Sequence, residues 1–356
     1  MAIHSVCVAA EHRLRQVATR MLKHYVNMVA AGHPTVTTIK LMAKQHLIPF
    51  YISCGFTCNG LSPIVHGVDP WFDLSLDLTV MRQPTFTVVN AFTTKPGCGN
   101  PAAVVRLPYG PRSGAWMQLV AKDFNLSETV FVMEREDGRY DLRYFTPTSE
   151  VGLCGHATLA AASVVGEDRG VFVTGKGVEL VARKGEGGCV VLTFPSNEPS
   201  VVTDAERVEE VRRVLKEGLG VEKDAVIGVY CTDDDIMVEI SSESFNGIGT
   251  VNMEVLRTTS AYGHGLIVCC VVEGRGSSQS DFSSRFFAPK IGIDEDPVCG
   301  RAHVSLASHF AKKLGKRVLT GVQASSRGGE VAVEVGTGTV DLRGQWVHVR
   351  TGKLMV

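Results

Sequence analysis

A segment that returns later in the chain in altered form constrains the fold most. "VGLCGHATLAAASVV" begins at Val151 and "DPVCGRAHVSLASHF" begins at Asp296, so that Cys154 aligns with Cys299. The same alignment matches further residues: Glu150 with Glu295, Gly155 with Gly300, Ala157 with Ala302, Ala162 with Ala307 and Ser163 with Ser308. Each copy places Cys-Gly before a run of small apolar residues, which is typical of a buried helix. The repeat predicts two half-domains whose helices face each other across a cleft.

A Cys-Gly dipeptide at the start of a helix has two interpretations. The unpaired N–H groups and the positive end of the helix dipole would stabilise a thiolate, lower the thiol pKa and bind a carboxylate. Cys154 and Cys299 would then hold a small carboxylic acid between two thiols, which can remove a proton from one face of a carbon and return one to the other. Cysteine is also among the most buried residue types, so both could simply pack beside alanines. The residues alone leave both interpretations open.

Three further side chains are candidate proton carriers or orienting groups. Glu128 starts the apolar run "ETVFVM", where a carboxylate is either a solvated edge residue or a base whose pKa an apolar cleft raises. His156 is either a hydrogen-bonded residue of the first helical turn or a proton carrier beside Cys154. Asp296, before a proline, suits a turn or a helix N-cap, a role that is compatible with lining a site.

The stretch "TTKPGCGNPAAVV", Thr93 to Val105, predicts a glycine-rich turn between two strands. It lacks the Walker lysine and the GxGxxG order, so its pattern gives little support to phosphate binding. Backbone N–H groups around Gly99 and Asn100 can still hold a carboxylate. The sequence has no CxxC or HxxxH pair, and the adjacent Cys269 and Cys270 should point to opposite faces of a strand, so we expect no metal site.

Composition excludes several classes of partner. The 356 residues carry a net charge of −1, which provides no long-range field for nucleic acid or an anionic membrane. The longest apolar run, "LIVCCVV", is far shorter than the roughly 20 residues that cross a bilayer, and it suits a buried strand. The first residues do not resemble a secretory signal, so the ten cysteines predict free thiols in a reducing, cytoplasmic compartment. We therefore expect a small-molecule substrate, no nucleic acid and no membrane, and a homodimer remains open.

The order of predicted elements indicates an α/β fold with three segments, 1–80, 85–200 and 201–356. The first should contain a strand at 3–10 and a helix at 11–32. From Thr85 strands alternate with helices, which are predicted at Ser113–Asn125 and Gly155–Val165. A polar, proline-containing linker at 194–206 separates the last two segments. The final strands alternate apolar and polar residues, as antiparallel strands do, and can return to the first half-domain.

The motifs of residues 85–356 resemble the phenazine-biosynthesis (PhzF-like) family. The matching stretches, in order, are "FTVVNAFTTKPGCGNPAAVV", "NLSETVFV", "RYFTPTSEVGLCGHATLAAA", "RFFAPKIGIDEDPVCGRAH" and "SSRGGEVAVEV". The resemblance implies the diaminopimelate-epimerase-like fold, in which two pseudo-symmetric halves each curl a sheet around a central helix. It also implies a cofactor-free isomerase in which Glu128 moves a proton between carbons, supported by His156 and Asp296.

The chain departs from the family pattern at the second cysteine. Cys299 stands where the family usually has threonine, Arg301 where it has serine, and Asn90 where aspartate is common. Cys154 and Cys299 together resemble the two-thiol racemases and epimerases of the same fold, with Gly155 and Gly300 beside them as substrate-binding glycines. Arg301 adds a cation at a helix start, which the dipole disfavours unless Arg301 meets Glu295 or a substrate carboxylate.

Residues 1–80 separately resemble the C-terminal half of GNAT-type N-acetyltransferases. "IHSVCVAAEHRLRQVATRML" is similar to that family's fourth strand and its pyrophosphate-binding helix, and residues 48–71 are similar to its closing strands. Gln16, however, replaces a glycine that lets backbone N–H groups approach coenzyme A. The first strands of that fold do not precede the segment, so Tyr51, in the place of a general acid, should lack an acceptor site. Acetyl-coenzyme A would be a cofactor only if this segment is functional.

Four functional hypotheses follow. The leading one is a cytoplasmic, cofactor-independent PhzF-like isomerase of a small carboxylate or amino-acid-like substrate, with Glu128 as acid and base. Its rivals are a two-thiol epimerase that uses Cys154 and Cys299, acetyl transfer by residues 1–80, and a binding protein without turnover. A cleft filled by side chains such as Arg301 would favour the last.

Overall fold

The computed structural model describes residues 2–3, 6–13, 15–33, 35–64, 67–81, 83–108, 112–135, 137–232, 235–272 and 280–355. The chain divides into two compact units. One comprises residues 1–85, 106–112 and 353–356, and the other comprises residues 86–105 and 113–352.

The described residues form nine α-helices and twenty strands. The helices are α1 Val17–Gly32, α2 Ile48–Ser53, α3 Leu78–Met81, α4 Gly114–Phe124, α5 Gly155–Val165, α6 Ala205–Leu219, α7 Ser242–Asn246, α8 Met253–Thr258 and α9 Gly300–Leu314. The strands are β1 Thr38–Lys44, β2 Thr57–Leu61, β3 Trp71–Asp77, β4 Thr85–Ala91, β5 Asn100–Arg106, β6 Glu128–Glu134, β7 Tyr140–Phe145, β8 Glu150–Val151, β9 Arg169–Thr174, β10 Glu179–Lys184, β11 Val190–Pro195, β12 Ser200–Val201, β13 Val226–Cys231, β14 Asp235–Ile240, β15 Gly265–Val271, β16 Phe282–Phe287, β17 Val318–Gln323, β18 Gly329–Val335, β19 Thr339–Gly344 and β20 Trp346–Lys353.

The first unit contains a three-stranded antiparallel sheet in the order β1-β3-β2. Leu22, Val26 and Val29 recur at helical spacing on one face of α1, and they share a core with Ile39 and Leu41 of β1. The sheet and the long helix therefore bury a common apolar layer.

Two predictions for the start of the chain are wrong. Residues 6–9 form no strand, and residues 4 and 5 of the predicted strand lie outside the described chain. The helix predicted from residue 11 begins only at Val17, because the preceding Gln16 has a left-handed φ of 57° that cannot continue a helix. Its residue 14 also lies outside the described chain.

Residues 48–71 contain a helix as well as strands, which corrects their comparison with closing strands alone. Residues 48–53 form α2, which has a proline in its first turn, where proline is tolerated. Tyr51 lies in this helix, its ring contacts those of Phe50 and Phe56, and burial raises its pKa. Residues 65 and 66 lie outside the described chain.

The second unit is built from two curled sheets that share a pair of strands. Strands β4 to β20 follow one another through hydrogen-bonded pairs until the circuit closes, and the antiparallel pair β11 and β19 divides that circuit in two. α5 contacts β6, β9 and β11, whereas α9 contacts β17, β18 and β19. Each half thus wraps a sheet around one of the two repeated helices, and the α/β fold predicted from the order of elements is confirmed.

The helix α5 has the predicted bounds, and α4 begins one residue later and ends one residue earlier than predicted, with Ser113 and Asn125 as its capping residues. Ser113 accepts a hydrogen bond from Trp116 N at the start of α4, and Asn125 ends that helix in the left-handed conformation. α5 begins after Cys154 and ends at Gly166, whose φ is 76°. Nearly all of α5 is buried, as its run of alanines suggests.

A second core lies under α6 and α8. Successive side chains of β15 alternate between this core and the main one. Cys269 joins the main core around α5 and α9, whereas the adjacent Cys270 joins the core that contains Val211 and Leu215. The two thiols therefore point to opposite faces, as predicted. Among the described residues, no helix combines the length and the apolar character needed to cross a lipid bilayer.

Candidate active site

The helices α5 and α9 meet at their first residues. A methyl group placed on the α-carbon of Gly155 would lie 3.6 Å from the α-carbon of Gly300. Cys154 and Cys299 are the residues that cap these two helices. The first residues of the two helices therefore lie close together, and the two cysteines lie at one junction between the halves.

Glu128 begins β6 beside this junction, and its carboxyl group is almost completely buried. Only 4% of the residue is exposed, and Oε1 has no hydrogen-bond partner among the described residues. Burial raises the pKa of Glu128 to about 8; a hydrogen bond with the Cys154 thiol opposes this shift, and the nearby charge of Asp296 adds to it. A carboxyl with such a pKa exchanges protons near neutral pH.

His156 is a buried, neutral partner of the first thiol. Its Nδ1 lies 3.2 Å from Cys154 Sγ and 3.2 Å from Asn100 Nδ2. Burial lowers the pKa of His156 to about 3, so the ring carries no charge near neutral pH. His156 can therefore orient a group through one ring nitrogen, but it does not supply a cation to the site.

Asn100 links the two halves of the site. Its Nδ2 donates to Asp296 Oδ1 at 2.6 Å and to the carbonyl oxygen of Val298 at 2.9 Å. Its Oδ1 is buried without a partner among the described residues. Burial raises the pKa of Asp296 to about 6, and hydrogen bonds from Asn100 and Cys299 oppose the shift. Asn100 thus holds the Asp296 turn against the start of α5.

Burial dominates the electrostatics of both thiols. Cys299 Sγ accepts a hydrogen bond from Ala302 N at 3.5 Å, the helix-start contact that was expected to stabilise a thiolate. Burial nevertheless raises the pKa of both thiols, and nearby Glu128 raises that of Cys154 further, as Asp296 does for Cys299. Of the two interpretations left open by the sequence, the one with lowered thiol pKa values is therefore wrong, because the helix starts do not offset the loss of water.

Arg301 does not meet Glu295, which corrects one of the two partners expected for it. Its Nη2 lies 3.0 Å from both carboxylate oxygens of Asp235, a buried residue at the start of β14. Glu295 instead forms a two-pronged ion pair with Arg285. The tertiary fold brings Asp235 to the helix start from a strand far away in sequence, and the substrate carboxylate remains the other expected partner.

Hydrogen bonds with residues 325–329 hold the loop that ends at Asn100. Arg327 donates from Nε to the carbonyl oxygen of Gly99 at 2.8 Å, and Gly99 N donates to the carbonyl oxygen of Gly328. Gly99 has φ 69°, and a side chain there would collide with the carbonyl oxygen of Ala91, so glycine is required. Gly99 thus serves the shape of the loop, and its N–H is already engaged.

Comparison with known proteins decides the family. The family model described as phenazine biosynthesis-like protein (PhzC-PhzF) matches residues 89–352. The chain belongs to the PhzF family. It is 38% identical to an uncharacterized isomerase of Pseudomonas aeruginosa over 283 residues, which cover 76% of this chain and 98% of the relative.

Solved structures agree with the PhzF assignment. A phenazine biosynthesis protein of the PhzF family from Enterococcus faecalis matches with a TM-score of 0.67 and 32% identity, over 77% of this chain and all of that one. A probable proline racemase from Agrobacterium radiobacter matches with a TM-score of 0.50 and 11% identity, over 77% of this chain and 93% of that one. The second likeness shows a shared fold alone.

Sequence reasoning did not assign one residue that supports the candidate site, Gln323. This fully buried side chain at the end of β17 accepts from Cys299 N at 2.8 Å and donates to the carbonyl oxygen of Asp296 at 2.5 Å. It therefore fixes the turn that carries Asp296 and Cys299. The available signal was a glutamine at a position that the strand alternation assigns to the core, where an amide requires partners.

Proposed function

We propose that this PhzF-family chain is an isomerase that moves a proton between two carbons of a small carboxylate substrate, with Glu128 as the acid and base. The proposed transfer uses protein groups alone. The Glu128 carboxylate takes a proton from a substrate carbon, and the electron pair of the broken C–H bond stays on the substrate as an enolate. The protonated Glu128 then returns the proton to a second carbon of the substrate. This step restores the carboxylate of Glu128.

The observation that carries this proposal is the state of Glu128. A general acid and base works best when its pKa lies near the working pH, and the pKa of Glu128 is raised to about 8. Its Oε1 is buried and has no partner among the described residues, so a substrate hydrogen could occupy that position. The pKa values of both cysteine thiols are raised further above the neutral range, so thiolates are less available.

His156, Asn100 and Asp296 would position the substrate. Asn100 fixes the carboxyl group of Asp296 at 2.6 Å, and the neutral His156 can donate or accept one hydrogen bond without adding charge. A rigid polar frame of this kind lowers the cost of aligning a substrate carbon with the base. The name of the Pseudomonas relative, an uncharacterized isomerase, agrees with a reaction that rearranges one substrate.

The test is a metabolite-library screen in deuterated water, read by mass spectrometry. A substrate of this enzyme should gain one mass unit as the shifted proton exchanges with solvent. Glu128→Gln should lower the rate of incorporation by about 10²- to 10⁴-fold, the usual contribution of general acid–base catalysis. Glu134→Gln, at the other end of the same strand and exposed, is the matched control and should retain the rate. Full turnover by Glu128→Gln would reject the proposal.

A two-thiol epimerase is the second candidate, because Cys154 and Cys299 precede helices whose first residues lie close enough that a methyl group on Gly155 would contact Gly300. In that mechanism one thiolate removes the proton and the opposite thiol donates another, which inverts a stereocentre. Deuterium incorporation with inversion, abolished by either Cys154→Ser or Cys299→Ser, would select it. Cys231→Ser, outside the site, controls for general effects of thiol removal.

A further inference from the structure

The hydroxyl groups nearest to Glu128 have already committed their hydrogens. The Tyr144 hydroxyl lies 2.7 Å from Thr158 Oγ1, which itself lies 2.7 Å from the carbonyl oxygen of Cys154. A carbonyl oxygen only accepts, so Thr158 donates its one hydrogen to Cys154, and Tyr144 donates its own to Thr158. Although Tyr144 is near Glu128, its hydroxyl therefore has no hydrogen left for that carboxyl group.

The amide of Asn100 is committed as well. Its Nδ2 carries two hydrogens and lies 2.6 Å from Asp296 Oδ1, 2.9 Å from the carbonyl oxygen of Val298 and 3.2 Å from His156 Nδ1. The two shorter contacts take both hydrogens. Among the described residues, the Cys154 thiol, with Sγ at 3.2 Å, is then the partner that remains for His156 Nδ1.

The direction of the hydrogen bonds around the Cys154 sulfur follows from its protonation. Burial raises the thiol pKa, and the charge of Glu128 raises it further, so the thiol keeps its hydrogen near neutral pH. An ionised carboxylate only accepts, so the thiol donates in the hydrogen bond that joins it to Glu128. The S–H hydrogen is then used, and His156 Nδ1–H donates to the sulfur, as the backbone N–H of Ala157 does.

We propose that Cys154 is the positioning residue of the base: its S–H group donates to the ionised carboxylate of Glu128, while donors from His156 and Ala157 hold the sulfur in place. The inference rests on the proposed function, in which Glu128 must be ionised before it can accept a proton from the substrate. Burial favours the protonated carboxyl, and a donor that binds the ionised form more strongly opposes that preference. In contrast to the two-thiol mechanism, the thiol keeps its hydrogen throughout.

The titratable groups that face this thiol come from four parts of the fold. Glu128 begins β6, Tyr144 lies in β7, His156 lies in α5, and Asp296 and Cys299 precede α9. Burial lowers the pKa of His156 to about 3, raises that of Asp296 to about 6 and raises those of Tyr144 and Cys299 above their ordinary, already alkaline values. Between about pH 7 and about pH 9 the group that titrates is therefore Glu128, whose pKa is about 8.

Carbon-13 NMR titration of the glutamate carboxyl groups tests the inference without a substrate. The signal of Glu128 is identified by its loss in Glu128→Gln. Cys154→Ala should raise the titration midpoint of Glu128 by about one pH unit or more, because losing a hydrogen bond to the charged form favours the neutral form about ten-fold or more. Cys154→Ser keeps a donor, so its midpoint should stay within about half a pH unit of the wild-type value.

Cys269→Ala is the matched control. Cys269 is a fully buried thiol that donates to the carbonyl oxygen of Val238 rather than to a carboxylate. Its removal should leave the Glu128 midpoint unchanged, which separates the loss of a donor from the general effect of removing a buried thiol. An unchanged midpoint in folded Cys154→Ala, or a shift that Cys154→Ser does not reverse, would overturn the inference.

Infrared spectroscopy of the S–H stretching band provides a second measurement if Cys154→Ala folds poorly. The band of Cys154 is identified from the difference between the wild type and Cys154→Ser. In the wild type it should move to lower frequency between about pH 7 and about pH 9, because ionised Glu128 accepts a stronger hydrogen bond. The band should stay fixed in Glu128→Gln, and a fixed band in the wild type would contradict the proposed donor.

The deuterium assay separates this inference from the proposed function. If Cys154→Ala raises the midpoint of Glu128 but no substrate gains deuterium, the positioning role stands and the isomerase proposal fails. If Glu128→Gln loses deuterium incorporation while Cys154→Ala keeps the wild-type midpoint, the isomerase proposal stands and the inference fails.

Discussion

The starts of α5 and α9 have the same backbone arrangement but carry different side chains. Both begin after a cysteine and a glycine, and in each a side chain four residues after the cysteine bonds back to its carbonyl oxygen, Thr158 in α5 and His303 in α9. The residue after the glycine differs: it is the neutral, buried His156 in α5 and the charged, half-exposed Arg301 in α9. The duplication preserved the backbone geometry, whereas single side chains made one helix start neutral and placed a cation, paired with Asp235, at the other.

The same comparison extends to an arginine–glutamate pair in each half. Arg143 donates two hydrogen bonds of 2.8 and 2.7 Å to Glu150. Arg285 likewise donates two of 2.7 and 2.8 Å to Glu295. The first pair is 33% and 42% exposed, and the second is 15% and 17% exposed. The two pairs have the same hydrogen-bond lengths but differ in exposure. Comparing them therefore tests how burial changes the contribution of an ion pair to stability.

The largest expected effect concerns Glu128, at the α5 end. Its folded-state pKa of about 8 exceeds the ordinary 4.5, so between these values the folded chain binds more protons than the unfolded chain. The free energy of unfolding of the wild type should therefore fall, relative to that of Glu128→Gln, by up to about 1.4 kcal/mol for each pH unit above roughly 5. Urea denaturation from pH 5 to 8 measures the difference, and parallel curves for the two proteins would contradict the raised pKa.

Breaking the two ion pairs should expose the asymmetry between the halves. Arg285→Gln leaves Glu295 with little solvent and should lower the free energy of unfolding by roughly 3 kcal/mol. Arg143→Gln leaves a more exposed Glu150, and it should cost about 1 kcal/mol or less. Urea denaturation at neutral pH compares them, and equal losses would show that the difference in burial has no energetic consequence.

Gln323 should stabilise the turn at the start of α9. Replacing it by alanine removes the partners of Cys299 N and of the Asp296 carbonyl, and the expected cost is about 2 kcal/mol of stability. Thr174, at the end of β9 as Gln323 is at the end of β17, provides the matched variant Thr174→Ala in the other half. A loss for Gln323→Ala no larger than that for Thr174→Ala would indicate that the turn holds its shape without the amide.

The smallest expected effect is that of Cys299→Thr, which installs the usual family residue. Threonine also caps helices, so stability should change by less than about 1 kcal/mol. If Glu128 carries the proton, deuterium incorporation should stay within about one order of magnitude of the wild-type rate. A loss of deuterium incorporation comparable to that of Glu128→Gln would instead indicate that the thiol pair moves the proton.

Local signals made the helices that frame the site predictable. Ser113 and Asn125 mark the ends of α4, and Gly166 ends α5, because side-chain caps and left-handed residues act within a few positions of the chain. The repeat and the family motifs also indicated Glu128, Cys154, His156 and Asp296 as neighbours, and the structure brings them together. Their catalytic roles stay predictions until turnover is measured.

By itself the sequence determined the α/β order, the duplicated helix starts and the identity of the titratable groups, because these depend on residue type and spacing. Only the tertiary structure decided that β11 pairs with β19, that Gln323 supports the Asp296 turn and that Asp235 holds Arg301. It also decided that burial raises the thiol pKa values although both cysteines cap helices. Strand pairing and desolvation depend on which distant residues exclude water, and no local pattern in the chain records that.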